Sequence, residues 1–318
     1  TAYGGTGLHL PSANVTIAAE NDTNQLSEAL GVAAGWIGVG ATVAETSSNG
    51  SSVAYLDTGA VTAASNLGVL SITATGTDSN TSNATAGSGG VYAGAAAIAN
   101  TTSTSTTTAT LKGNTTQDTL YFGGLGINAA HTVSFSADAD AFQASVVGAS
   151  GGGTNNAVND TVTAEVGPYL IINSAGGNMN VIASDTVNEA SGGARAGSGG
   201  VAAGAATLSS STVTQTVESH IDNHTIFSLN DNPATSTASI DIEAYNFLNT
   251  VDSVSLSAGG LFAGGGAQSY MTATAADSVV IDDNVTLFSA GNIAIGTAAR
   301  MAARNNANAD LYGLITGA

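Results

Sequence analysis

One segment recurs along this chain and constrains the fold more than any other feature. The sequence GSGGVYAGAA at 87–96 returns as GSGGVAAGAA at 197–206, with nine of ten positions identical. A long repeated unit of this kind predicts a solenoid, in which each repeat packs mainly against its neighbours. The repeat is marked by glycines at Gly87, Gly89, Gly90, Gly94, Gly197, Gly199, Gly200, Gly204, Gly259 and Gly260.

A threonine ladder follows the first glycine segment and indicates β-structure. Thr102, Thr104, Thr106, Thr108 and Thr110 share one face of an extended chain, whereas a helix would scatter them. Threonine is β-branched and favours strands. The preceding stretch, 70–86, alternates small or apolar residues with polar ones as a half-buried strand does.

The chain divides into repeat units near 14–60, 70–113, 132–168, 179–225, 239–286 and 293–318, the last of them truncated. Comparable first-strand positions 17, 72, 135, 182, 242 and 295 lie 55, 63, 47, 60 and 53 residues apart. We therefore expect one continuous all-β solenoid over 1–318, a parallel β-helix built from irregular repeats.

Each unit has room for about three short strands, and a β-helix coil needs roughly 20 residues, so we expect two to three coils per unit. The whole chain would form on the order of 15 coils spaced about 4.8 Å apart, a rod of roughly 70 Å. Glycines would turn the corners with positive φ. The apolar residues Val91, Ile98, Val201, Leu208, Leu261 and Phe262 would fill the narrow interior.

The charge balance excludes one class of partner. The net charge is −19, from 23 acidic residues against four Lys and Arg, so phosphate backbones are repelled and nucleic acid binding is excluded. The two most apolar stretches are too short and glycine-rich, or too rich in Ser and Thr, for a membrane span. The absence of cysteine fits an extracellular protein and a cytosolic one equally.

The segments ITATGTDSNTSNATAGSGGVYAGAAAIANTTSTSTTTATL and NVTIAAENDTNQLSEALGVAAGWIGVGATVAE, with the closing ADLYGLITGA, resemble repeat regions of giant filamentous-haemagglutinin-like adhesins. These surface proteins are exported by two-partner secretion or as autotransporter passengers. The resemblance implies a right-handed parallel β-helix shaft outside a bacterial cell, serving adhesion, aggregation or biofilm cohesion. It also implies two kinds of partner, further copies of the chain and cell-surface glycans.

Two groups of residues are candidate metal ligands. His220 and His224 are spaced i, i+4, which suits a metal on a helix but need not converge on a strand. Asp282 and Asp283, with Asn284, offer oxygen ligands for structural calcium at a turn. In both cases the alternative interpretation is a polar loop without a bound metal. No other cofactor is expected.

Two further patterns suggest other functions. Asp138 and Asp140 share a strand face, as the carboxylates of a polysaccharide-cleaving β-helix enzyme would, but no basic partner stands near them in the sequence. The Thr-x-Thr arrays suggest ice binding, although the units are too irregular for a long lattice. Gly87–Gly90 lacks the GK[ST] ending of a phosphate loop.

The sequence therefore predicts a structural, non-enzymatic protein, an extracellular filament or adhesin shaft. The first alternative is a filament or sheath subunit that stacks end to end through open strand edges. A polysaccharide-acting enzyme and an ice-binding protein are the remaining alternatives.

Overall fold

The computed structural model describes residues 1–4, 13–58, 68–174, 176–229 and 238–317, so the expected unit boundaries at 60 and 318 fall outside it. The elements in these ranges are β-strands, without an α-helix among them. They are β1 (Ala2–Gly4), β2 (Val15–Ser48), β3 (Ser51–Asp57), β4 (Val69–Lys112), β5 (Asp118–Phe122), β6 (Gly124–Val166), β7 (Leu170–Ser174), β8 (Met179–Gly199), β9 (Ala202–Ile221), β10 (Ile226–Leu229), β11 (Ile240–Ile281), β12 (Thr286–Phe288) and β13 (Ile293–Gly317).

The long strands stack in parallel, which confirms the all-β solenoid class. The sheet runs in the order β1-β3-β4-β6-β8-β11-β13, with β2 on β4 and β9 between β6 and β11. We call β2 with β3 coil 1, β4 coil 2, β6 coil 3, β8 with β9 coil 4, β11 coil 5 and β13 coil 6.

Each repeat forms a single long coil, so the expectation of two to three coils per unit is wrong. The amide of Asn80 donates to the carbonyl of Thr102 at 3.2 Å, and the Ser82 hydroxyl donates to that of Asn100 at 2.6 Å. The two halves of β4 therefore face each other. In coils 1 to 5 an outward arm runs to a tip, which lies at Val91 in coil 2, and a return arm runs back, whereas β13 of coil 6 ends at Gly317, three residues past its tip.

Small inward side chains explain this flat shape. Between residues 74 and 99 of coil 2, the buried positions are filled by Gly, Ala, Asp, Asn and Ser. Such short side chains let the two arms of a coil approach closely. The chain therefore continues straight along each arm and does not turn a corner every few residues. An arm of about 20 residues spans roughly 65 Å, and six coils stack over about 29 Å, so the molecule is a slab and not the expected rod.

A second sheet closes the base of the coils. It contains β5, β7, β10 and β12, all paired in parallel. Large side chains from this sheet and from both arms form the main apolar core, which includes Leu120, Ile172 and Phe227. Burying each of these side chains contributes about 1.5–3 kcal/mol.

The interior changes character from base to tip. Coil 2 begins with Leu70, Ile72 and Ala74, continues with the buried polar residues 78, 80 and 82, and then returns to alanine at 84 and 86. The return arm mirrors this order. The slab thus has an apolar base, a buried polar layer and an alanine layer near the tip.

The prediction that the repeat's larger apolar residues fill the interior is wrong. Ile98, Leu208, Phe262, Val201 and Leu261 are each 44–49% exposed, and Val91 is half-buried. The inward-facing positions near them are occupied by small residues, Ala97, Ala203, Ala205, Thr207 and Ala263. The interior near the tip therefore holds mainly small side chains.

The strand register corrects two of the aligned positions. Ile17 pairs with Ile72, and Ile72 pairs with Ile127 and not with Phe135. Ile127 in turn pairs with Val181, and Ile182 lies one position further along. The repeat from coil 1 to coil 3 is therefore a regular 55 residues, and the third unit begins near residue 124.

Glycine provides positive φ at only one of the predicted repeat positions. Gly90 has φ 155°, whereas the corners at the base use Tyr169, His224 and Asn284 at φ 59°, 58° and 62°. The tip glycines meet a different need, because coils approach too closely for a side chain. A Cβ on Gly200 would overlap the carbonyl oxygen of Ser145 in the coil below.

Candidate functional surfaces and interior sites

An exposed apolar ridge follows the tip through all six coils. Register on either side of the turn aligns Trp36, Val91, Val146, Val201, Leu261 and Leu314. The next position adds Ile37, Tyr92, Val147, Ala202, Phe262 and Ile315. We call these two rows the tip ridge.

The tip ridge exposes large apolar side chains to solvent. Trp36 is 75% exposed and Leu314 80%, and neither row contains a charged residue. The rows extend about 24 Å from the first coil to the last. An uncharged apolar strip of this length on an acidic protein is typical of an interaction surface.

The outward face of the return arms carries threonine in a two-dimensional array. Thr102 and Thr104 share one face, as predicted, and the structure shows that this face points outward. The equivalent threonines at 212, 214, 272 and 274 also face outward. Thr110 departs from the pattern and is buried. Coil 3 interrupts the array, because Ala157 and Asn159 occupy the two intervening positions.

The buried polar layer contains a group of three possible metal ligands. Asp78 lies on the outward arm of coil 2, while His131 and Asp160 lie on the two arms of coil 3. One ligand atom from each lies within 4.8 Å of the other two, and all three residues are buried. Nε2 of His131 is 3.5 Å from Oδ2 of Asp78, and its Nδ1 is 3.0 Å from the Thr107 hydroxyl.

Asp78 and Asp160 have opposite electrostatic environments. Burial alone would raise the pKa of Asp78, but hydrogen bonds with His131 and with the hydroxyls of Ser105, Thr23 and Ser103 hold it well below its ordinary value. Burial raises the pKa of Asp160 to about 9, and the nearby carboxyls of Asp185 and Asp78 add to the shift. Neither oxygen of Asp160 has a hydrogen bond of normal geometry.

Asp185 and Gln215 continue the polar layer one coil further. The Gln215 amide donates to Asp185 at 2.9 Å, and burial raises the pKa of Asp185 to about 6. Asp185 pairs in register with His131, and Gln215 with Asp160. The layer is therefore continuous across coils 2 to 4.

A second buried acidic group lies nearer the tip. Glu189 is 6% exposed, and neither of its carboxyl oxygens has a hydrogen bond of normal geometry. Burial raises the pKa of Glu189 to about 8, and the carboxyls of Asp252 and Asp138 contribute. Asp252 accepts hydrogen bonds from the hydroxyls of Ser209 at 2.5 Å and Ser269 at 2.8 Å.

The structure brings together two of the four predicted metal candidates. Nε2 of His220 is 3.4 Å from Oδ1 of Asp282, and Asp222 completes a half-buried group of three possible ligands. His224 instead stacks on Tyr169, with ring centroids 4.7 Å apart. The exposed Asp283 contributes its backbone carbonyl to the amide of His224.

The carboxylates proposed for an enzyme face outward, but their surroundings differ from the expectation. Asp138 and Asp140 lie on the outer face of coil 3. The expectation that no basic partner is near is wrong, because Nη1 of Arg195 is 3.6 Å from Oδ1 of Asp140. Arg195 is the register neighbour of Asp140 in coil 4, so only the stacking brings them together.

Sequence reasoning missed the interior group of Asp78, His131 and Asp160. The alternation of the strand could have revealed this group, because Asp78 is separated from the inward-facing Ile72 and Ala74 by an even number of residues and so shares their face. His131 is in phase with Ile127 in the same way.

Comparison with protein-family models, with curated proteins and with solved structures finds no match to this chain. The described residues include no helix long and apolar enough to cross a membrane.

Proposed function

We propose that this chain is a segment of an extracellular filament or adhesin shaft that mediates surface attachment, aggregation or matrix cohesion. The observation that carries the proposal is the continuous stack of coils from β2 to β13, held in parallel register over whole arms. Such a stack forms a stiff structure that lengthens with each repeat. The resemblance to filamentous-haemagglutinin-like repeats supports an extracellular location.

The tip ridge supports the cohesive part of this function. Two copies with a net charge of −19 repel each other over most of their surfaces. The uncharged ridge is straight, and its residues repeat once per coil in every copy. Two ridges therefore match in length and period, so we infer that a second copy of the chain packs against the ridge side by side.

Electron microscopy of the purified native material tests the proposed filament. Thin rods, single or bundled along their length, are the expected result. Compact globular particles would refute it.

Self-association tests the role of the ridge. Substituting Val201→Ser and Leu261→Ser together should lower the association measured by sedimentation velocity, and added salt should strengthen association of the unmodified chain by screening charge. Leu208→Ser is the matched control, because Leu208 is equally exposed but lies away from the tip. An equal loss in the control would show that the ridge has no special role.

A second function, end-to-end stacking of separate subunits, is favoured by the charges on the two end strands. Among the described strands, β2 pairs only with β4, and β13 only with β11. Glu20, Asp22, Glu28 and Glu45 lie on β2, which has no basic residue, whereas β13 carries Arg300 and Arg304. If β2 of a second copy continued the register on β13, Asp22 would lie beside Arg300.

A charge exchange tests this stacking. Asp22→Arg or Arg300→Asp alone should shorten the fibres seen by electron microscopy, and the double exchange should restore them. Fibres with an axial repeat of about 29 Å, one chain of six coils, would support stacked subunits. Unchanged fibres in both single variants would contradict the proposed contact.

A further inference from the structure

The group of Asp78, His131 and Asp160 lies wholly inside the solenoid, where coil 3 packs on coil 2. The absence of a side chain at Gly76 leaves space for it, because a Cβ there would overlap Nδ1 of His131. Three arms thus deliver one ligand atom each to a single enclosed point.

The charge at this point is not balanced by the chain itself. In the part of the chain that the structure describes, the buried acids are Asp78, Asp160, Asp185, Glu189 and Asp252, whereas all four Lys and Arg residues are exposed. His131 is the only buried basic side chain among the described residues. Asp160 is 0% exposed, and neither of its carboxyl oxygens has a hydrogen bond of normal geometry. A buried, unpartnered carboxyl needs either a proton or a cation.

We propose that Asp78, His131 and Asp160 bind a divalent first-row transition ion, of the zinc or manganese class, inside the solenoid. One imidazole nitrogen combined with carboxylate oxygens is a ligand set that suits these ions, whereas calcium and magnesium prefer oxygen ligands alone. The site is separate from the tip ridge and from the filament ends. The proposal of a metal site can therefore be tested independently of the proposed function.

The position of the site couples ion binding to folding. Asp78 belongs to coil 2 and the other two ligands to coil 3, so the site exists only once the coils have docked. The ion would enter during this step and remain enclosed afterwards. Refolding in the presence of ions, and not simple addition to the folded chain, is therefore the informative experiment.

The 318-residue chain would be unfolded with chelator, exchanged into metal-free buffer and refolded with Zn²⁺, Mn²⁺, Ca²⁺ or Mg²⁺ separately. Bound metal would then be measured by plasma mass spectrometry after gel filtration. We expect about one retained Zn²⁺ or Mn²⁺ per folded chain. Refolding with Co²⁺ should give a visible absorption band from mixed nitrogen and oxygen ligands, a result that requires no variant.

Asp160→Asn is the decisive variant because it keeps the shape and removes the charge. It should reduce retained metal at least about tenfold, while Asp222→Asn, in the half-buried group at the corner, should retain it. Absence of metal and colour in the refolded wild type, with Asp160→Asn equally stable or more stable, would overturn the proposal in favour of a protonated carboxyl. Loss of metal only in Asp222→Asn would place the ion at the corner, and retention of Ca²⁺ alone would overturn the ion class.

Discussion

Glu189 makes the stability of this protein depend on pH in a predictable direction. Its pKa is raised from the ordinary 4.5 to about 8 in the folded chain. Between these two values the folded chain keeps a proton that the unfolded chain has released, so stability falls as pH rises. Below pH 4.5 both states are protonated, and the contribution to stability is fully present.

The size of the effect follows from the same two values. A difference of about 3.5 pH units, at about 1.36 kcal/mol each, gives at most about 5 kcal/mol of stability lost between pH 4.5 and pH 8. Glu189→Gln has nearly the same shape and no charge, so it escapes this loss. We expect its free energy of unfolding, relative to the wild type, to rise steadily across this window.

Urea denaturation followed by circular dichroism, at pH 5 to 9 with chelator present, measures this difference. Comparison of variant with wild type cancels the titration of the other buried acids. Glu28→Gln is the control, because Glu28 is exposed on β2 and its substitution should leave the difference flat. A difference between Glu189→Gln and wild type that does not change with pH, or that shrinks as pH rises, would refute the reasoning.

Three further predictions test the packing and the surface. Gly200→Ala should destabilise the chain by roughly 1–3 kcal/mol because its Cβ would overlap the carbonyl of Ser145, while Gly199→Ala, with nothing within 4 Å, should change stability by less than about 0.5 kcal/mol in the same denaturation assay. Phe227→Ala, at a fully buried position in the base core, should cost about 3–5 kcal/mol by urea denaturation. The interrupted threonine array should give no thermal hysteresis in ice-growth measurements, and a clear hysteresis would restore ice binding as a function.

The sequence predicts the fold class because its alternation is a local property. Side chains at every second position of a strand lie on the same face, and the shared face of Thr102 and Thr104 was predicted in this way. The same alternation, extended back along the return arm, places Ile98 outside and Ala97 inside. The prediction that Ile98 is buried is wrong because it rested on the hydrophobicity of the side chain and not on its position in the alternation.

The number of coils could not be read from local pattern. A strand that continues straight and a strand that turns a corner show the same alternation over seven residues. Whether the chain turns a corner depends on whether large side chains are present to fill the space between three sheet faces. At the base, Leu120 and Phe227 provide such a core and the second sheet forms there, whereas alanine and serine further along let the two arms of a coil close directly on each other.

The base corners escaped prediction for a related reason. Tyr169, His224 and Asn284 adopt positive φ, which is uncommon for residues other than glycine although Asn and His adopt it more often than most. The register places them in equivalent positions, since the amide of Tyr169 bonds the carbonyl of Asn223 and that of His224 bonds the carbonyl of Asp283. The ladder of hydrogen bonds between coils therefore supports the same conformation at all three corners, and at Tyr169 residue preference gives no indication of it.

These departures share one physical origin. Backbone hydrogen bonds join each long coil to its neighbours along whole arms, so stability is spread over the ladder and depends little on a compact apolar core. That allows acids such as Asp78 and Asp160 to lie inside and apolar residues to remain outside at the tip. It also explains why a single side chain of the tip ridge should be replaceable without unfolding the chain. A Cβ on Gly200, in contrast, would overlap a backbone carbonyl of the neighbouring coil and should destabilise the hydrogen-bond ladder.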